Sequence, residues 1–350
     1  MLEPLCSGRD SMYQARLKGT YYEMGFQQGN MMKGRILPPI RSESIHEAVN
    51  PGRVEFADEC EEIVRRYMPD SLEELQGISG AIGADYNKVK VWPLCSYARL
   101  QQSCTAVAIS GKHTAQGKPI FVRNYDYLDS DRKDFTGFWT KPKNGYASLG
   151  FSDAMSGRYC GFNEKGLAVA TSISGYSGST QPGLVFSLVT RWILDHYPTT
   201  CKAVEFLKSV PHFHGWNFLL CDLQSNIVRV ETCPERVEVV DFDEGIGVST
   251  NHYLSEEMQK FEEKNWRSEG STERRYVNSL HWFRSRKEPI TTDYACKLAR
   301  SRVDEGGICD RFVGIDGGTL WSWIHAIGEP NVLISDGPPY EYPYQKMHAL

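Results

Sequence analysis

A thiol, a guanidinium and a carboxylate fall at the ends of two short apolar runs: Cys104 in Ser103-Cys104-Thr105, and Arg123 and Asp126 in Arg123-Asn124-Tyr125-Asp126. Residues 105–110 (TAVAIS) are small or β-branched, 111–117 (GKHTAQG) are a turn cluster and 119–125 (PIFVRNY) are strand-like again. That pattern predicts a β-hairpin. Antiparallel pairing brings the outer ends of a hairpin together, so Cys104 is expected beside Arg123 and Asp126. A nearby cation favours the thiolate, which makes a partly exposed Cys104 a candidate nucleophile that reacts faster than most of the other nine cysteines. The plain alternative is an inert buried thiol next to an Arg123–Asp126 ion pair.

The elements that must position these residues are legible as blocks. Before Cys104 the sequence reads as helices over 21–36, 54–67 and from about 70 onward, with Pro38-Pro39 ending the first. In the second, Phe56, Cys60, Ile63, Val64 and Tyr67 recur on one face. Gly77, Gly80 and Gly83 lie in a helical pattern and do not follow a strand, so close helix packing is the reading rather than a phosphate loop. After the hairpin come strands over 145–151, 156–162 and 167–173, the last two joined by an Asn-Glu-Lys-Gly turn. Helices follow over 184–197 and 200–210, then strands over 216–223, 227–232, 236–240 and 245–250. Helices over 255–266, 271–283 and 292–303 and strands over 320–326 and 332–335 close the chain. Strand blocks alternating with helix blocks make this an α+β protein with antiparallel sheets.

Composition narrows the partners. The 350 residues are 41% hydrophobic and 24% charged with a net charge of −5, ordinary for a large-cored globular protein. Without a basic block, neither nucleic acid nor an anionic membrane surface is expected as a partner. No apolar signal region opens the sequence and no run is long enough to span a bilayer, so a cytoplasmic protein is expected. Ten cysteines without a Cys-x-x-Cys pair read as buried thiols. His212 and His214 share a face if extended, but no third ligand is spaced for a metal, and none is expected. No cofactor is expected, and a homo-oligomer stays open.

Beyond Ser103-Cys104-Thr105 and Arg123-Asn124-Tyr125-Asp126, the chain carries Gly161-Phe162-Asn163-Glu164-Lys165-Gly166-Leu167 and Thr250-Asn251-His252-Tyr253. Ahead of Cys104 it carries Gly19-Thr20-Tyr21-Tyr22-Glu23-Met24-Gly25 and Glu74-Leu75-Gln76-Gly77-Ile78. In their order and spacing these motifs resemble the choloylglycine hydrolase and acyl-coenzyme A:6-aminopenicillanate acyltransferase-like group of N-terminal nucleophile (Ntn) hydrolases, in its C45 peptidase-like branch. The resemblance spans nearly the whole chain. It implies a four-layer αββα sandwich, with residues 1–103 a helical pro-segment packed on a catalytic unit of residues 104–350.

The same resemblance implies a zymogen that cuts its own Ser103–Cys104 bond. A cysteine at the new N-terminus carries its own base, because an α-amino group (pKa about 7.7–8.0) can take a proton from a thiol (about 8.5) near neutral pH. By resemblance Asp126 orients that amine, Arg123 attends the thiolate and the side chain of Asn251 helps form an oxyanion hole. The Ser271-Thr272-Glu273-Arg274-Arg275-Tyr276 segment resembles a serine-capped helix carrying a site arginine, Arg275 ahead of Arg274. His252 and Asn163 are read as structural. The implied activity is an acyl-thioester at Cys104 formed from a linear, non-peptide amide and passed to water or to an amine. The alternatives are an acyl-coenzyme A-dependent N-acyltransferase and an unprocessed, non-catalytic binding homologue. Partners would be a small amide or acyl-thioester substrate and the protein's own cleaved N-terminal segment.

Overall fold

The computed structural model describes residues 3–4, 12–33, 51–95, 103–153, 156–267 and 270–350. Pro38-Pro39 and the end expected for the first helix, over 34–36, lie outside them. The chain starts with β1 (Glu3–Pro4) and β2 (Tyr13–Gly19), then α1 (Tyr21–Lys33), α2 (Pro51–Tyr67), α3 (Pro69–Ile82) and the short α4 (Tyr86–Val89) and α5 (Val91–Cys95). Next come β3 (Ser103–Ile109), β4 (Ile120–Leu128), β5 (Thr136–Pro142), β6 (Ser148–Ser152), β7 (Cys160–Asn163) and β8 (Ala168–Ile173). Helices α6 (Phe186–His196) and α7 (Thr200–Ser209) precede β9 (Trp216–Cys221), β10 (Ile227–Thr232), β11 (Val237–Asp241) and β12 (Ile246–Ser249). Last are α8 (Glu256–Gln259), α9 (Thr272–Arg284), α10 (Thr292–Arg300), β13 (Gly317–Ala326), β14 (Asn331–Ser335) and β15 (Gln345–His348).

The strands form two sheets, one in the order β1-β2-β5-β6-β7-β8-β9-β10-β11 and one in the order β12-β3-β4-β13-β14-β15. Between them Ala106, Ala108, Phe121 and Trp323 of the smaller sheet meet Phe151, Phe162, Ala168 and Leu219 of the larger. The outer face of the larger sheet, with Val169, Phe218 and Leu220, is covered by apolar residues of α2, α3, α6 and α7 such as Val64, Leu75, Ile193 and Leu207. Val107, Ile109, Ile120 and Val122, on the outer face of the smaller sheet, pack on Phe283 of α9 and Leu298 of α10. The molecule is therefore an αββα sandwich. Covered on both faces, β3 and β4 are buried almost throughout, which is why their apolar residues fall in short continuous runs rather than alternating ones.

Several elements differ from the sequence reading. The segment before Cys104 is not only a helical layer, because β2 pairs in parallel with β5, Tyr13 opposite Thr136 through Gly19 opposite Pro142. Neither β2 (YQARLKG) nor β5 (TGFWTKP) stands out locally, and their mutual pairing stabilises both. The helix expected over 255–266 shrinks to α8, followed by turns that carry Glu262 and Trp266 to Tyr253 and Asn251. Close packing by glycine does hold, and it joins α1 to α3. A Cβ at Gly77 would lie 2.1 Å from the Tyr22 carbonyl oxygen, and one at Gly25 2.0 Å from that of Glu74. Asn163 is the turn residue expected: its Oδ1 accepts from the N–H groups of Lys165 and Leu167, and its Nδ2 ties the turn to α6 through Leu194 O.

Candidate active site

Antiparallel register fixes the geometry around Cys104. Ser103 lies opposite Asp126, Cys104 opposite Tyr125 and Ala106 opposite Arg123. Because side chains alternate along a strand, Cys104, Arg123 and Tyr125 point between the sheets, whereas Thr105, Asn124 and Asp126 point to the α9–α10 layer. Arg123 and Asp126, three positions apart, thus stand on opposite faces. No ion pair joins them among the described residues; each has other partners.

On the inner face Arg123 donates from Nη2 to Cys104 Sγ over 2.8 Å. Arg123 is buried, and its Nε and Nη1 have no hydrogen-bond partner among the described residues. Such orphan donors cost stability, and the fold bears that cost beside the thiol. Cys104 is itself buried rather than partly exposed, contrary to expectation. Burial pushes its thiol up, against the opposing pull of Arg123, so in the uncut chain it is a neutral thiol held by a cation. Among the described cysteines only Cys201 is exposed.

On the outer face Arg275, near the start of α9, reaches back to the same backbone. Its Nη1 donates to Cys104 O over 2.6 Å and to Thr105 Oγ1 over 2.8 Å, and its Nη2 donates to Ser103 Oγ and, over 2.9 Å, to Asn251 Oδ1. Its Nη1 also lies 3.8 Å from Asp126 Oδ2. Arg274 is exposed, so of the two candidates only Arg275 reaches the site. Asp126 accepts from Thr319 Oγ1 over 2.6 Å. Burial outweighs Arg275 and raises its carboxyl to about 7.

Asn251 follows β12, next to β3 in the sheet, and its Oδ1 accepts from the Cys104 N–H over 2.9 Å. Its Nδ2 donates to Ile173 O over 3.0 Å. In the uncut chain it therefore turns its carbonyl oxygen, not its amide donor, to Cys104. Its backbone is clamped by Thr272 Oγ1 on one side and the Trp266 indole N–H on the other. His252 bonds through Nδ1 to Thr272 Oγ1, and burial lowers its pKa to about 3, so it is a neutral packing residue.

Five expected residues thus converge on the Ser103–Cys104 bond: Cys104, Arg123, Asp126, Asn251 and Arg275. Sequence reasoning missed the residues that hold them, namely Thr319 on Asp126, Thr272 and Trp266 on Asn251, and Asp310. Ser271 occupies the N-cap of α9, but its hydroxyl is diverted from capping: it donates to Asp310 and accepts from Arg275 Nε. Nothing local marks these as partners, since each acts across a fold contact. His212 and His214, the pair considered for a metal, each bond a backbone carbonyl, of Leu207 and Gly215.

A cysteine near the start of an inner strand of an αββα sandwich, with its backbone N–H held by Asn251, its carbonyl by Arg275 and its sulfur by Arg123, is the arrangement of the Ntn-hydrolase class. Within that class, the chain belongs to the acyl-coenzyme A:6-aminopenicillanic acid acyl-transferase family, which it matches over residues 113–291. That stretch includes Arg123, Asp126, Asn251 and Arg275 and begins after Cys104. No curated protein matches the sequence. Solved structures similar to it include a Caenorhabditis elegans N-acylethanolamine-hydrolyzing acid amidase ortholog, at 16% identity over 65% of this chain and 94% of that one, TM-score 0.49. A mutant conjugated bile acid hydrolase from Clostridium perfringens is 14% identical over 70% of this chain and 92% of that one, TM-score 0.46. Penicillin V acylase from Agrobacterium tumefaciens is 15% identical over 66% and 82%, TM-score 0.42.

Proposed function

We propose that the protein is a self-activating cysteine Ntn enzyme that cleaves a linear, non-peptide amide through an acyl-thioester at Cys104. The observation that carries this reading is the convergence of Arg123, Asn251 and Arg275 on Cys104 and on the bond before it. In the activation step, Cys104 Sγ attacks the Ser103 carbonyl carbon and the Ser103–Cys104 amide becomes a thioester. Water then hydrolyses the thioester, giving a Ser103 carboxylate, a free thiol and an α-amine on Cys104. That amine is the base of the mature site.

The roles follow from the contacts. Asn251 Oδ1, which accepts from the Cys104 N–H in the uncut chain, is suited to accept from the amine after cleavage. Asp126, across the ladder from Ser103, is placed to orient the amine, and its charge, which grows as pH rises through about 7, makes the amine a stronger base. Arg123 attends the sulfur, and Arg275 holds the Cys104 carbonyl and thereby the strand end. Asn251 Nδ2 is the donor proposed for the oxyanion, an interaction whose value lies in meeting charge that develops only in the tetrahedral state.

Intact-mass measurement tests the reading. The wild type is expected to give two species, residues 1–103 and 104–350, while Cys104→Ala gives one uncut chain without amidase activity. Full activity from the uncut mass, or a Cys104→Ala protein with the wild-type rate, overturns it. The family match favours a second outcome of the same acyl-enzyme, transfer to an amine. An added amine acceptor that diverts product from acid to N-acyl amide would identify it.

A further inference from the structure

A cavity of about 780 Å³ lies away from Cys104, where the inner face of β2 and β5 overhangs the smaller sheet. Its size is that of a small-molecule site. Trp139, Phe162 and His325, each buried, back the cavity with ring edges beside the exposed Pro330, and the His325 ring is stacked on Phe162 at 4.0 Å between centroids. Burial lowers His325 to about 4, so that ring adds no charge near neutral pH.

The cations are the unusual feature. Lys18 and Lys141 stand directly opposite each other in the β2–β5 ladder, and Arg16, two residues from Lys18, lies over Trp139 at 5.0 Å. Like charges directly across a ladder destabilise it. Among the described residues no carboxylate forms a salt bridge with Arg16, Lys18 or Lys141. The two acids that line the cavity are engaged elsewhere: Glu329 pairs with Lys118 at 2.5 Å, and Glu164 accepts from the Ala147 N–H. The Lys18 backbone is held on both sides by the Gln27 amide, so the cationic strand is fixed in position.

We propose that this cavity binds an amphipathic organic anion, its carboxylate or phosphate between Lys18 and Lys141 and its apolar body against the edge of Trp139 and Pro330. An anion there converts a repelling pair into two attractive ones, and the edge of Trp139 with Pro330 selects an apolar tail over a bare ion. Because β2 precedes Cys104 and β5 follows it, the ligand spans both parts of the chain. The inference is independent of the chemistry at Cys104.

Calorimetric titration of the full chain with octanoate, octyl phosphate, octanol and inorganic phosphate tests it. Octanoate and octyl phosphate represent the two sources of the head group, and the tighter of them identifies it. At least one is expected to bind tenfold or more tighter than octanol and than inorganic phosphate. The Lys18→Gln/Lys141→Gln variant is expected to lose at least tenfold of that affinity. Lys141→Glu, which places a carboxylate opposite Lys18, is expected to abolish anion binding and to unfold at a higher temperature than the wild type. Octanol binding as tightly as both anions, or unchanged anion affinity in both variants, overturns the proposal.

Discussion

Asn251 and Asp126 each carry a distinguishable consequence at the scale of single residues. If the Nδ2 of Asn251 donates to the oxyanion, Asn251→Asp keeps an acceptor for the Cys104 nitrogen yet removes the donor. Steady-state kinetics of this variant should then show turnover lower by about a hundredfold or more, like Asn251→Ala. Near-normal turnover in Asn251→Asp with loss in Asn251→Ala would limit its role to accepting. Asp126 titrates near 7 because burial disfavours its charge. Its folded pKa is above the unfolded value of about 3.9, so the folded state binds the extra proton. The associated stability is full below about 4 and lost as pH rises through about 7. Thermal unfolding from pH 5 to 8 should show wild-type Tm falling more steeply than that of Asp126→Asn. Parallel profiles would contradict the raised carboxyl. Thiol labelling of the uncut chain should mark Cys201 before Cys104, since burial and a raised pKa protect Cys104.

Helix packing without intervening side chains joins α1 to α3. A methyl at Gly77 has to displace the Tyr22 carbonyl, which is α1 backbone and cannot swing aside as a flexible side chain could. Overpacking of that kind costs about 1–3 kcal/mol, and Gly77→Ala should lower the urea midpoint accordingly. Gly80→Ala is the control: its Cβ would meet only the Tyr22 hydroxyl, at 3.1 Å, and alanine is the better helix former by roughly 1 kcal/mol. Equal midpoint shifts of the same sign in both variants would show that the close approach does not matter.

Across the whole molecule, the part before Cys104 is built into the rest. Besides the β2–β5 ladder, a buried network crosses the proposed cut: Tyr21 donates to Asp195, Asp195 pairs with Arg191 at 2.5 Å, and Glu74 lies 3.7 Å from Arg191. Cleaved fragments should therefore co-elute in gel filtration, and Asp195→Ala, which strips a buried guanidinium of its closest partner, should destabilise the protein by about 3–5 kcal/mol. Fragments that separate without denaturant would contradict this integration. No described helix is long and apolar enough to cross a membrane. Most of the helices and strands, the β3–β4 hairpin and the residue types for thiol chemistry were legible in the sequence alone, because periodicity and turn composition are local properties. The sequence also narrowed the site arginine to Arg274 or Arg275. Tertiary structure buries Arg275 against Cys104 and leaves Arg274 exposed, through the face of α9 that packs on the smaller sheet. It also sent Asp126 to the opposite face from Arg123, enlisted Thr319 and Thr272, and drew β2 into the larger sheet. These depend on which distant segments pair, and pairing energy is shared between partners far apart in the chain, so neither partner carries the signal by itself.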